Sequence, residues 1–235
     1  MASRKVLLFD IDATLLKTGH AGLRALDRVF EELYEVPQAT EGLRPAGKTD
    51  PLIIRELLEG NVPNLDPVQE IPRVVNLYVE YLGQEVEVSA GFQVMPGVPE
   101  LLEALSRIPH IVLGLATGNL EEGAYIKLRR AGLGSYFSFG GFGSDSENRT
   151  EVVLAAIRRA RDHLKEAVAL DSVYVIGDTP RDIVHAKEAG VRTVAVATGS
   201  SDTEELSRHD PDYLFEDFSQ TSRVVEIFMR ASCET

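Results

Sequence analysis

Short runs of consecutive apolar residues recur along the chain, separated by longer stretches with helical spacing. The runs are rich in branched aliphatic side chains, and turn-forming residues bound them. Continuous apolar runs of this length are typical of strands buried on both faces of a parallel sheet. They predict strands at Val6–Phe9, Ile111–Ala116, Val173–Ile176 and Thr193–Ala197, and a shorter fifth strand at Tyr213–Phe215.

Helical patterns lie between these strands in the second half of the chain. Apolar residues recur there every three or four positions, and proline or glycine marks several of the ends. The patterns predict helices at Val98–Arg107, Glu121–Ala131, Glu151–Leu164 and Pro180–Ala189, with Asp202 and Glu205 as the cap of a further helix. Strands that alternate with helices predict an α/β fold with a parallel sheet and right-handed crossovers.

One long segment departs from this alternation. Between about Leu16 and Phe92 the chain shows only helical patterns, at Ala21–Tyr34, Pro51–Leu58 and Pro67–Leu82. This is too much helix for a single crossover between two strands, and it indicates an inserted helical bundle. We therefore predict a core domain built from residues 1–16 and 93–235, and an all-helical cap domain over residues 17–92.

The composition is that of a folded, acidic protein. Apolar residues make up 44% of the 235 positions, and 37 acidic against 24 basic side chains give a formal net charge of −13. An acidic surface repels phosphate backbones, so we expect no nucleic-acid partner. A small anionic substrate would then need a local positive feature, such as a metal ion or a few basic side chains.

Three further features bear on location. No apolar run approaches the roughly 18 residues that span a bilayer, so we expect no membrane partner. The stretch before the first predicted strand is too short for a signal peptide. The single cysteine, Cys233, allows no disulfide within the chain, which fits a reducing compartment. Together they predict a cytoplasmic protein.

Polar residues follow three of the predicted strands directly. The first strand runs into Asp10, Asp12 and Thr14, the second into Thr117-Gly118-Asn119, and the third into Gly177–Asp182. In an open parallel sheet, ligands bind beyond the carboxyl ends of the strands. We therefore expect these side chains to converge on one crevice.

The residues in this crevice suggest a particular chemistry. Asp10, Asp12 and Asp178 would crowd carboxylates together, which is unfavourable unless a cation neutralises them, and a site made only of oxygens suits Mg²⁺. An aspartate can attack phosphorus to form an aspartyl-phosphate, and a second carboxylate two residues on can act as acid and base. The hydroxyl of Thr117 and nearby backbone N–H groups can hold phosphoryl oxygens.

The three segments resemble motifs of the haloacid dehalogenase superfamily. Leu8–Leu15 resembles the first motif, hhhDxDxT, Leu113–Asn119 the second, and Val175–Asp182 the fourth. Their order and spacing agree with the superfamily over nearly the whole chain, in the manner of phosphoglycolate phosphatase-like members with a helical cap. The resemblance implies a Rossmann-like core with the cap inserted after the first motif.

The resemblance also implies roles for individual residues. Asp10 would be the nucleophile and Asp12 the general acid/base. The Mg²⁺ ligands would be Asp10, Asp178 and the backbone carbonyl of Asp12, while Thr117 would hold the phosphoryl group. Asp182 has two interpretations: it completes the outer shell of the metal, or it only interacts with the positive start of a helix.

Other candidates are predicted to contact the substrate. Gly118 and Asn119 follow the second strand, and Asn119 has the alternative role of capping the next helix. Lys48, Thr49 and Asp50 resemble the loop that closes over substrate in related capped phosphatases; the alternative is an ordinary helix N-cap.

Two positions depart from the superfamily pattern. Ala13 stands where glycine is common, and we expect a small side chain to be tolerated there. The third motif is normally a lysine, but residues 142–150 contain none. Arg149 is the first candidate for that role, and Lys127 is its rival.

These features predict a Mg²⁺-dependent phosphomonoester hydrolase that acts on a small phosphorylated metabolite. A β-phosphoglucomutase-like phosphomutase would use the same aspartates. A 2-haloacid dehalogenase is disfavoured by Asp12, and a phosphonate hydrolase would need Lys48 as a Schiff-base lysine. The missing third-motif lysine leaves a non-catalytic phosphate-binding protein as the alternative from a different class.

Overall fold

The computed structural model describes residues 4–229 of the chain. Its strands are β1 (Lys5–Phe9), β2 (Leu16–Thr18), β3 (Phe92–Val94), β4 (Ile111–Ala116), β5 (Gly140–Gly141), β6 (Val173–Gly177), β7 (Arg192–Val196) and β8 (Tyr213–Phe215). Its α-helices are α1 (Ala21–Tyr34), α2 (Asp50–Asn61), α3 (Pro67–Val88), α4 (Val98–Ser106), α5 (Glu121–Ala131), α6 (Arg149–Leu164), α7 (Pro180–Glu188), α8 (Thr203–Ser207) and α9 (Thr221–Met229).

Six strands form one parallel sheet in the order β5-β4-β1-β6-β7-β8. Every residue of β1 and of β6 is buried, which explains why these strands appear in the sequence as unbroken apolar runs. Helices lie between successive strands of the sheet. The predicted α/β class with a parallel, Rossmann-like core is confirmed.

The register of the central strand determines where the polar segments emerge. Phe9, the last residue of β1, is opposite Leu115 of β4 on one side and Ile176 of β6 on the other. The three strands therefore end at nearly the same level of the sheet. Asp10, Thr117 and Asp178, which follow them, are brought to one edge as a direct consequence.

The helices α1, α2 and α3 pack around an apolar cluster of their own. Its largest buried members include Phe30, Ile54, Leu58 and Leu82. Leu120, which precedes α5, also packs in this cluster. The helical segment therefore has its own interior and touches the sheet region through the start of α5.

The expectation of purely helical patterns between Leu16 and Phe92 needs one correction. The chain enters and leaves the helical segment through an antiparallel ribbon, in which β2 pairs with β3 and Leu16 is opposite Val94. Each strand of this ribbon has three residues, which is too short for an alternating pattern to show in the sequence. The predicted domain boundaries, at residues 17 and 92, fall within the ribbon.

Two helices in this segment are longer than predicted. The helix α2 extends beyond Leu58 to Asn61 although it contains Gly60, and α3 continues beyond Leu82 to Val88. In the last turn of α3 only Val86 is buried, so the apolar stripe that predicted the helix fades before its end. The helix α9 and the two-residue strand β5 were not predicted.

Two findings concern location. None of the helices in residues 4–229 combines the length and the apolar character that crossing a bilayer requires. Cys233, on which the cytoplasmic prediction partly rests, lies outside the described residues, and that prediction stays a prediction.

The tight turn after β1 contains a non-glycine residue in the left-handed region. Ala13 has φ +61°, its N–H donates to the carbonyl of Leu16, and its own carbonyl accepts from the hydroxyl of Thr198 at 2.6 Å. The left-handed region costs an L-residue about 1–2 kcal/mol, whereas glycine adopts it freely. The alanine side chain is accommodated here, but under backbone strain.

We expect Ala13→Gly to raise the free energy of unfolding by up to about 1 kcal/mol, because relief of the positive φ exceeds the entropy that glycine adds to the unfolded chain. Urea denaturation measures this change. The matched control is Ala169→Gly, at an exposed position with φ −70°, which should destabilise the protein. Destabilisation by both substitutions to the same extent would contradict strain at Ala13.

Candidate active site

Two aspartates at the ends of neighbouring strands are buried at the edge of the sheet. Asp10 is 6% exposed and Asp178 is 3% exposed. Burial raises the pKa of Asp10 to about 7, although the Arg149 guanidinium opposes the shift. Burial, followed by the charges of Asp182 and Asp10, raises the pKa of Asp178 to about 8. Each carboxyl therefore favours its neutral form unless a further cation is present.

Asp10, Asp178 and Asp182 form a compact group of carboxylates. Each offers one oxygen, and these oxygens all lie within 4.8 Å of one another. Such a hard, oxygen-only donor set with excess negative charge fits a divalent cation such as Mg²⁺. The side chain of Asp12 is not part of this group. Its predicted contribution through the backbone carbonyl stays a prediction.

The Asp182 carboxylate also bonds to two other residues, Thr179 and Arg149. One of its oxygens accepts from the N–H and hydroxyl of Thr179, at 3.0 and 2.6 Å, in a capping box that begins α7. The other oxygen is paired with Arg149. The helix-start interaction weighed in the sequence analysis is thus present. A further role in the outer shell of a metal stays a prediction.

The two candidates for the missing lysine both lie in the site but contact different aspartates. Arg149 is the first residue of α6, where Asn148 caps the helix, and it is buried with one guanidinium nitrogen 3.5 Å from Asp10. Lys127, on α5, lies 2.6 Å from Asp12. Arg149, rather than Lys127, is therefore the cation beside the predicted nucleophile.

Asn119 connects the polar residues that surround the two aspartates. Its amide nitrogen donates to Asp12 and to the hydroxyl oxygen of Thr117, each at 2.8 Å, and its amide oxygen accepts from Lys127. The hydroxyl of Thr117 in turn hydrogen-bonds to Asp10. The alternative that Asn119 caps α5 is wrong, because Leu120 occupies the N-cap position and the first N–H of the helix, that of Glu121, donates to the Ser144 hydroxyl.

The loop before α2 is docked on the sheet region. Thr49 is fully buried, caps α2 by accepting from the Leu52 N–H, and donates to the carbonyl of Glu147 at 3.1 Å. The Asp50 N–H donates to the carbonyl of Gly118 at 2.7 Å. The N-cap interpretation therefore holds for Thr49, whereas contact of this loop with a substrate stays a prediction.

Two further contacts at this junction concern Gly118 and Lys48. A Cβ added at Gly118 would lie 2.2 Å from the carbonyl oxygen of Lys48, so only glycine permits the observed approach. The ammonium of Lys48 pairs with Glu56, within the helical segment.

Asp50, the first residue of α2, is also perturbed at this junction. Burial raises the pKa of Asp50 to about 6 against the opposing charge of Lys127.

An ion pair that the sequence analysis did not identify joins the two regions. Arg55 on α2 contacts both carboxylate oxygens of Glu147, at distances of 2.7 to 3.0 Å. The two residues are 92 positions apart, so no local spacing links them. The pairing follows only once the loop before α2 lies against the start of α6.

A pocket of about 460 Å³ lies between this loop and the starts of α6 and α7. Lys48, Thr49, Arg149, Arg181 and His185 are among its lining residues. Arg149, which lines this pocket, also pairs with Asp10 and Asp182. The pocket therefore adjoins the predicted reaction centre. Arg181 lies within the fourth motif but has no role in its pattern, and His185 lies one turn further along α7, outside any motif, so neither was predicted as a site residue.

Comparison with known proteins identifies the family. The model of the haloacid dehalogenase-like hydrolases matches residues 7–196, which include all three recognised motifs. The chain belongs to this family. The predicted family, and with it an enzyme of the phosphatase class, is confirmed.

Individual haloacid dehalogenase-like relatives cover most of the chain. It is 27% identical to "Probable phosphatase IndB" of Dickeya dadantii, over 97% of its own length and 96% of that protein. It is 24% identical to a phosphoglycolate phosphatase of Pseudomonas fluorescens, over 91% of its own length and 76% of that protein.

A solved structure shows the same fold. It is described as that of a "predicted phosphoglycolate phosphatase" from Haemophilus somnus, and it superimposes with a TM-score of 0.73 at 20% identity. The superposition covers 96% of this chain and 99% of that one. At this identity the likeness extends to the haloacid dehalogenase-like fold and no further.

The raised pKa values of Asp10 and Asp178 predict how the stability of the metal-free protein depends on pH. Between about pH 4 and about pH 8 the folded state holds protons that the unfolded state releases, because both folded pKa values lie above the ordinary aspartate value of 3.8. The free energy of unfolding should therefore fall as the pH rises through this window. Denaturation curves in the presence of a chelator measure it.

Addition of Mg²⁺ should reverse much of this loss near pH 8, because a ligand that binds only the folded state stabilises it. The matched variant is Asp178→Asn, which should show a shallower pH dependence and little response to Mg²⁺. A flat pH profile in the unsubstituted protein would contradict the burial of ionisable carboxyl groups.

Proposed function

We propose that this protein is a Mg²⁺-dependent phosphomonoester hydrolase that acts on a small phosphorylated metabolite through an aspartyl-phosphate on Asp10. One observation carries the proposal: Asp10 lies buried beside Arg149 and in one group of carboxylates with Asp178 and Asp182, with Asp12 two residues away. This arrangement supports a nucleophilic carboxylate whose charge would be neutralised by a guanidinium and by a metal ion.

The reaction would proceed in two steps. A carboxylate oxygen of Asp10 attacks phosphorus, the bond to the ester oxygen breaks, and Asp12 gives its proton to the departing alkoxide. In the second step Asp12 takes a proton from a water molecule, whose oxygen attacks phosphorus and releases inorganic phosphate and free Asp10. Asp10, Asp178 and the Asp12 carbonyl would hold Mg²⁺, which would supply charge neutralisation for the phosphoryl oxygens.

Other residues would hold the phosphoryl group during these steps. The Thr117 hydroxyl and the backbone N–H groups that follow it lie at the carboxyl end of β4, beside Asp10. Arg149 keeps Asp10 in place and offers positive charge to the phosphoryl oxygens. Asn119 is fully occupied by protein partners, so we assign it to support rather than to substrate contact.

The helical segment would set which substrates fit. Lys48 lines the pocket beside Arg149, and it is our candidate for contact with the leaving group. Thr49, Asp50 and Gly118 are used in docking the loop and would exclude water from the closed site. A closed site of this size favours a small molecule over a folded protein or a nucleic acid.

The decisive test is phosphate release from a panel of small phosphomonoesters, with Mg²⁺ and with a chelator. We expect Mg²⁺-dependent turnover that Asp10→Asn lowers by at least about 10³-fold, because the nucleophile is lost. Phosphoglycolate belongs in the panel because one relative is named phosphoglycolate phosphatase. The panel also includes sugar phosphates, analysed for isomerised product.

The matched control is Asp162→Asn, an exposed aspartate on α6 that should leave turnover unchanged. Transfer of phosphate between positions of a sugar, without net release, would instead establish a phosphomutase. A folded protein that shows neither reaction on any member of the panel would count against the proposal and favour phosphate binding without catalysis.

Arg149 should be required for the chemical step. We expect Arg149→Met to lower kcat by about 10²–10³-fold, as is typical when a group that stabilises transition-state charge is removed. Arg149→Lys should recover part of the loss, since it restores the charge without the two-pronged geometry. Steady-state kinetics measure both, and an unchanged kcat in Arg149→Met would exclude Arg149 from the third-motif role.

A further inference from the structure

A second buried cation lies in the site, and the proposed mechanism does not use it. We propose that Lys127 is a positioning residue that, together with Asn119, fixes the orientation of the Asp12 carboxylate for proton transfer to the leaving group. This inference rests on the proposed function, and it assigns Lys127 to Asp12 rather than to the nucleophile.

The hydrogen bonds of the Lys127 ammonium go to two residues, Asp12 and Asn119. Its nitrogen lies 2.9 Å from one carboxylate oxygen of Asp12 and 2.6 Å from the other, and it also donates to the amide oxygen of Asn119. In the part of the chain that the structure describes, the hydrogen bonds of Lys127 go to Asp12 and to Asn119, and Asn119 itself donates to Asp12. The action of Lys127 therefore passes through Asp12.

Asp12 needs this support because it is the most open of the site's aspartates. Its side chain is 46% exposed, whereas that of Asp10 is 9% exposed and that of Lys127 is 5% exposed. A carboxylate on a half-open side chain rotates freely unless its oxygens are held. Lys127 and the Asn119 amide together contact both oxygens of Asp12, while its side chain stays 46% exposed.

Burial of Lys127 on α5 would cost free energy of folding without its acidic partners. Its neighbours Ala124 and Leu128 are buried apolar residues, and burial of an ammonium disfavours its charged form. One turn earlier on the same helix, Gly123 leaves room where a Cβ would lie 3.0 Å from Leu82 of α3. Burial acts to lower the pKa of Lys127, but the charges of Asp12 and Asp50 outweigh it and raise that pKa, so the acidic partners are what hold the ammonium in this apolar setting.

Asp50 faces Lys127 from the loop before α2, and its charge acts on Lys127 together with those of Asp12 and Asp10. A purely electrostatic role, in which Lys127 only balances these carboxylates, is thus the competing explanation. The two differ in what they predict. Loss of charge balance lowers kcat/KM for every substrate to a similar degree. Loss of the Asp12 orientation lowers kcat/KM chiefly for substrates whose leaving group needs a proton.

The experiment compares kcat/KM for two esters with leaving groups of different basicity. An alkyl ester such as glycerol phosphate needs a proton on its departing oxygen, whereas 4-nitrophenyl phosphate expels a stable phenolate. This parameter includes only the steps up to release of the alcohol, so later hydrolysis of the aspartyl-phosphate does not affect it. We expect Lys127→Met to lower kcat/KM for the alkyl ester by about 10²-fold or more, and for the aryl ester by less than about tenfold.

Two further variants keep the test decisive if Lys127→Met folds poorly. Asn119→Ala removes the other support of Asp12 and should change the ratio of the two kcat/KM values in the same direction. Lys127→Arg keeps the charge and should restore part of the alkyl-ester rate. Lys187→Met, at an exposed lysine of α7 paired with Asp210, is the matched control and should leave both esters unchanged.

The outcomes separate the inference from the proposed function. If the unsubstituted enzyme hydrolyses no ester of the panel with Mg²⁺, these two included, the proposed function fails and the positioning role falls with it. If it hydrolyses both, but Lys127→Met lowers the two kcat/KM values equally or leaves both unchanged, the positioning role alone is overturned.

Discussion

The site is dominated by the repulsion among carboxylates that the sheet brings together at one edge. Two unit charges about 4 Å apart repel one another by about 4 kcal/mol at an effective dielectric constant near 20, and several such pairs meet here. Two buried cations offset part of this repulsion: Arg149 lies beside Asp10, and Lys127 lies beside Asp12. The remaining excess of negative charge makes the site attractive for a divalent ion, and it explains why Asp178 and Asp182 accept hydrogen bonds from Thr14 and Thr179.

The division between the two cations fits the different roles proposed for the two aspartates. Asp10 is enclosed beside a rigid guanidinium, as suits the proposed nucleophile, which would point one oxygen at phosphorus. Asp12 is half open and held by a flexible ammonium and an amide, as suits the proposed acid/base, which would exchange protons with a leaving group and with water. On this proposal, the same residue type acquires two functions from its surroundings.

Much of the fold and of the site could be predicted from the sequence. Strands buried on both faces leave unbroken apolar runs, and acids placed directly after such runs mark a shared edge, so Asp10, Asp178 and their neighbours were identifiable. The ribbon of β2 and β3 was not, because three residues carry no period. Long-range pairings such as Arg55 with Glu147 depend on how two regions dock, and no sequence spacing records that. The strain at Ala13 was also missed, since a small side chain reports nothing about φ.

The ribbon through which the chain enters and leaves the helical segment has a consequence for how such proteins diversify. Because β2 and β3 pair with each other, the two ends of the intervening segment are fixed side by side whatever lies between them. The entropy of closing a loop grows only with the logarithm of its length, by about 0.6 kcal/mol for each doubling. The segment can therefore gain or lose whole helices at little cost to the sheet, and substrate range can evolve without rebuilding the catalytic edge.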